Sequence, residues 1–182
     1  MPKEWVDVVD TAVKIGLGSL ITGIFTYIGI KFSHKSERSK FMLEHKTKLL
    51  EQVADDIEEF FASWDSFVSV IGGITKIRKN EKIEDEELET EQWDSIIKHD
   101  EDLINSKQKY DSSIAKLRLL KASQASRAMI SAKALVDVLR SPVMFDDDIP
   151  KHSTIVKYLK RVKGAKENVH KALADYYATL ST

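Results

Sequence analysis

Residues 15–30, IGLGSLITGIFTYIGI, carry no charge in a chain that is 31% Asp, Glu, Lys and Arg. An all-round apolar helix must be covered on every side, by lipid or by other helices. At ~1.5 Å per residue the run covers roughly 24 Å, against a hydrocarbon core of ~30 Å. Ala12 and Val13 extend it, and Lys14, Lys31 and Phe32 suit the two interfaces, so the expectation is a single membrane crossing over 12–32. A buried core helix would compete, but the other helical stretches have one-sided stripes that match each other better than an apolar cylinder. A cleavable signal peptide would begin basic and end at small residues, whereas this chain begins MPKEWVDVVD and leaves the run as KFSHKSERSK.

Basic residues near an anchor stay on the cytoplasmic side. Lys31, Lys35, Arg38 and Lys40 follow the run, against Lys3 and Lys14 before it. Residues 1–11 are therefore expected as a short non-cytoplasmic lead, with Trp5 at the interface, and 33–182 as a cytoplasmic domain at the inner membrane. The basic flank would lie against anionic lipid headgroups. Within the run, Gly18, Thr22 and Thr26 fall on one helical line, and Ser19 and Gly23 on the next. Such small faces let helix backbones approach in lipid, which makes Ser19 and Gly23 the candidate contact for a homo-oligomer.

Beyond the run, breakers are scarce. The chain has three prolines and seven glycines, and Gly16, Gly18, Gly23 and Gly29 lie inside the anchor, so an all-α domain is expected. The absence of cysteine excludes disulfides, thiolate metal sites and cysteine nucleophiles. The clearest periodicity is Leu50, Val53, Ile57, Phe60, Trp64, Phe67, Ile71 and Ile74, stepping by three and four. That is a coiled-coil-like seam, and Ala54, Phe61 and Val68 widen it into the stripe of a bundle helix. Gly72 and Gly73 would weaken or kink this helix near its end. The acidic run 84–91 reads as a solvated turn and a negative first helical turn.

A second long helix is expected over about 87–140, with Asp100 and Lys107 interrupting its stripe and a polar stretch, 105–113, where it could divide. Its Ala/Ser-rich segment KASQASRAMISAKA allows close helix contact, and Arg140-Ser141-Pro142 is expected to end it. A last helix over about 153–180 carries Ile155, Leu159, Val162, Val169, Leu173, Tyr176 and Leu180, with Lys166 in the remaining seam position. The predicted architecture is thus one amino-terminal transmembrane helix continuing into an antiparallel three- or four-helix bundle of long helices (33–78, 87–140, 153–180) with coiled-coil character. In a three-helix arrangement the first and last helices run parallel, and the loop 142–150, with Met144 and Phe145, returns towards the membrane.

Enzyme signatures are missing: there is no Gly-rich phosphate loop, no GxSxG and no HExxH. Glu167 and His170 form one Glu-x-x-His, half of a dimetal bundle site that needs a second such pair, so no metal or cofactor is expected. His34, His45, His99 and His152 read as surface residues. With a net charge of −1 and no reading motif beside the basic last helix, nucleic acid is not an expected partner. The plan resembles that of many bacterial membrane proteins in architecture, with no diagnostic motif. The expected function is a non-enzymatic, self-associating membrane scaffold, sensor or adaptor whose partners are lipid, further copies of itself and a protein partner. The alternative is a membrane-disrupting, toxin-like or antiviral growth-arrest effector whose anchor oligomerises to permeabilise the bilayer.

Overall fold

The computed structural model describes residues 37–83 and 87–180, and the anchor run with Ser19 and Gly23 lies outside them. Among the described residues the chain is all-helical, with four helices and no strand: α1 Glu37–Glu81, α2 Thr90–Leu119, α3 Ser123–Phe145 and α4 His152–Leu180. None of these helices is long and apolar enough to cross a membrane. Between residues 46 and 180 they form an up-down-up-down bundle in which α1 neighbours α2 and α4, and α3 closes the ring between those two.

The order follows from cross-helix bonds. Lys109 Nζ reaches Glu59 at 2.7 Å and Ser113 donates to Asp56 at 2.7 Å, so α2 runs antiparallel to α1. Asp111 binds Lys133 and Asp100 binds Arg140, so α3 runs antiparallel to α2. Thr75 lies 3.2 Å from His152 Nδ1, while Lys166 donates to the Phe61 carbonyl at 3.2 Å, so α4 runs antiparallel to α1. The parallel pairing of first and last helices is therefore corrected, because the stretch expected as one helix over 87–140 is two.

The division falls at 120–122, not within 105–113. Lys121 takes a left-handed φ of 61°. Its N–H donates to the Arg118 carbonyl at 3.0 Å, and the Ala122 N–H donates to Leu117 at 2.9 Å. These two bonds define a Schellman cap, and buried Leu117 and Ala122 supply its hydrophobic closure. Lys82, also at φ 61°, ends α1 the same way, with Lys82 and Ile83 donating to Lys79 and Arg78. Both caps place lysine where glycine is the usual signal.

Two further expectations change. Gly72 and Gly73 do not interrupt α1. Gly72 lies against α4, where an added Cβ would sit 3.5 Å from Ile155 Cγ2, and Gly73 faces open space. Pro142 does not end α3, which continues to Phe145. A proline so close to the end removes one ladder bond, to the carbonyl of exposed Val138.

Packing divides the bundle into a wide side and a narrow side. α1 contributes Phe60, Phe61, Trp64 and Phe67, all buried, and reaches its neighbours through these large side chains. α3 contributes Ala125, Ser126 and Ala132 beside Met129, with Ala122 at its N-cap, and its backbone approaches α2 and α4 most closely. The small side chains among them favour that approach, because they take up little room between the helices.

Candidate functional site

Leu50, Val53, Ile57, Phe60, Trp64, Phe67 and Ile71 are all buried and belong to one contiguous core with the inward faces of α2, α3 and α4. At its centre Phe60 stacks on Tyr110, centroids 4.0 Å apart and rings 29° from parallel. The Tyr110 hydroxyl donates to the Met129 carbonyl at 3.1 Å. One turn further along, Trp64 Nε1 donates to the Tyr158 hydroxyl at 3.0 Å, and that hydroxyl donates to the Leu135 carbonyl at 2.9 Å. Three helices are joined through one phenol. Burial pushes both tyrosines well above the ordinary phenol range, so both hydroxyls keep their protons near neutral pH.

The polar positions in the stripes are ion pairs between helices. Asp100 receives Arg140 Nε at 2.6 Å and Nη2 at 2.9 Å, a two-point clasp between α2 and α3, and the guanidinium also lies 5.1 Å from the Phe145 ring. Lys107 pairs with Asp137 at 3.4 Å. Lys166, in the α4 seam, pairs with Asp65 and places its ammonium 5.0 Å from the Phe61 centroid and 5.9 Å from that of Trp64. Its stem covers apolar surface while its head reaches polar partners at the rim. Every buried side-chain nitrogen and oxygen among the described residues has a partner.

The half-signature Glu167 and His170 does not converge. Glu167 faces Lys163 at 3.9 Å in solvent, whereas the His170 ring stands edge-on to Phe61 and lies 3.6 Å from Glu58. Burial holds His170 below its ordinary pKa, with Glu58 raising it and Lys166 lowering it. No group of three His, Asp or Glu side chains among the described residues is placed to hold a metal ion. Of the other histidines, His45 is exposed, while His99 and His152 are half-buried and engaged, His99 Nδ1 with the Ser95 carbonyl at 2.7 Å and His152 with Thr75. His34 lies outside the described residues.

The loop 142–150 lies beside Thr75 and Arg78, at the end where α1 finishes, so its expected return towards the start of α1 is corrected. With Ile149, Pro150, Lys151 and His152 those residues line a notch with ≈ 10 Å³ of room, enough for one water. Met144 packs on the core and Phe145 is exposed under Arg140. Chemically, the described residues offer surfaces and interhelical clasps, and the geometry defines the class as an all-α four-helix bundle. Comparison with protein-family models, with curated proteins and with solved structures gave no match to this chain.

Proposed function

We propose that the protein is a single-pass, membrane-anchored helical scaffold or adaptor, non-enzymatic and self-associating, with its bundle on the cytoplasmic side of the inner membrane. The uncharged run 15–30 with its basic following flank carries this reading. Among the described residues the four helices bury one another's apolar faces in a single core.

Alkaline carbonate washing of membranes containing the full-length chain tests the anchor. Retention in the pellet, together with protease sensitivity of the bundle only from the cytoplasmic face, is expected. Release into the supernatant would remove the reading. The small-residue lines through Ser19 and Gly23 favour a second reading, a membrane-disrupting effector. Collapse of the membrane potential on induced expression would establish it over a scaffold, which leaves the bilayer sealed.

A further inference from the structure

The antiparallel register of α1 and α4 sets two acid-free stretches side by side. Residues 66–80 of α1 contain no Asp or Glu and include Lys76, Arg78 and Lys79. Residues 149–166 contain none either and include six Lys or Arg. The Thr75–His152 contact places these stretches opposite each other, although 77 positions separate the partners in sequence, and the approach of Gly72 to Ile155 continues the register. Lys76 and Lys79 follow Gly72 and Thr75 on the flank of α1 that meets α4, and they are exposed, as are Lys157, Lys160 and Lys163. The result is a continuous basic face at the end of the bundle where α1 finishes.

The opposite face at the same end is acidic. Residues 87–102 carry seven Asp or Glu against the single Lys98, and Asp146, Asp147 and Asp148 follow α3. Asp100 is consumed by Arg140, but Asp94, Glu101 and Asp148 are exposed. The two faces lie at one level, carry opposite charge and belong to a chain whose net charge is only −1.

We infer that this end of the bundle docks side by side onto a second copy of the chain, the α1/α4 basic face of one copy against the α2/α3 acidic face of the next. The contact is heterologous, so each copy keeps one face open and the assembly grows as a row. The side-by-side orientation rests on the anchored reading, in which neighbouring copies point the same way. Complementary charge across such a contact sets register and partner choice.

The test mixes isotopically labelled and unlabelled full-length chains in membranes and treats them with a zero-length carbodiimide that joins lysine to a touching carboxylate. Mixed-isotope links from Lys76, Lys157 or Lys160 to Asp94, Glu101 or Asp148 are expected. They should fall several-fold between about 0.1 M and about 1 M salt, where the screening length shortens from about 10 Å to about 3 Å. A chain carrying K76E, K157E and K160E should lose association by light scattering, as should one carrying D94K, E101K and D148K, and mixing the two variants should restore it. A general folding defect would not be cured by mixing.

Absence of mixed links while the internal Lys109–Glu59 and Lys133–Asp111 links form would overturn the contact. So would a monomer at low salt that binds heparin or a DNA oligomer, which would reassign the basic face to a polyanion. Carbonate washing reads the anchor separately: released chains that still cross-link defeat the anchor and keep the contact, and retained chains that do not cross-link defeat the contact alone.

Discussion

Replacing Arg140 by methionine leaves the Asp100 carboxylate, with 8% of its side chain exposed, without the guanidinium that holds it at 2.6 and 2.9 Å. Breaking a buried pair by removing one partner costs about 3–5 kcal/mol, because the remaining charge stays desolvated without compensation. The corresponding change Asp100→Leu strands Arg140, whose side chain is 15% exposed. Some of that cost is recovered because the guanidinium can lean further over Phe145, so the aspartate change should fall at the lower end. At roughly 2–4 °C per kcal/mol for a domain of this size, the Arg140→Met melting temperature should fall by roughly 6–20 °C. The double variant, apolar at both positions, should lie within about 1–2 kcal/mol of the parent. Thermal unfolding of the full-length chain in mild detergent, followed by helical circular dichroism, measures all three. Single changes costing under about 1 kcal/mol, or a double change equal to the sum of the singles, would refute the view that this clasp is a desolvated and mutually dependent pair.

Three further outcomes follow from the same geometry. Gly73→Ala and Gly164→Ala place a methyl in open space within helices, and each should raise stability by about 0.5–1 kcal/mol in denaturant titration. Lys121→Gly and Lys82→Gly relieve left-handed strain of roughly 1–2 kcal/mol at the two caps and should shift the midpoint upward, whereas Lys121→Val should lower it. Burial depresses His170 in the folded state, so its contribution is intact above the unfolded value of 6.5 and is lost as pH falls below it, when the unfolded chain takes the proton first. His170→Gln should flatten the decline in stability between about pH 7 and pH 5, measured by chemical denaturation at each pH.

Much of α1 was legible because its apolar residues step by three and four without interruption from Leu50 to Ile74, and the structure buries all of them. The two-helix nature of 87–140 was hidden because the turn uses Leu120, Lys121 and Ala122, none a breaker, and a lysine stands at the left-handed position. Pro142 misled in the opposite sense, since a residue that halts a helix in mid-course is tolerated in its last turn. Asp100 and Lys107 looked like gaps in a stripe, and only the spatial proximity of α3 reveals their partners, Arg140 and Asp137. The basic face was half visible in α4, but its other half comes from α1 through a register that no local pattern encodes.

The ring of helices also separates local contacts from distant ones. α2, α3 and α4 meet their neighbours across short turns, whereas α1 meets α4 through contacts 94 and 105 positions apart. Contacts between sequence-distant partners carry the larger loop-closure cost and form late. On the ribosome α1 emerges before α2, α3 and α4, and the phenol that accepts the Trp64 indole arrives only when α4 has been made. The Trp64 side of the aromatic face on α1 therefore stays uncovered until α4 arrives, and Trp64 is a built-in optical reporter of the moment the ring closes.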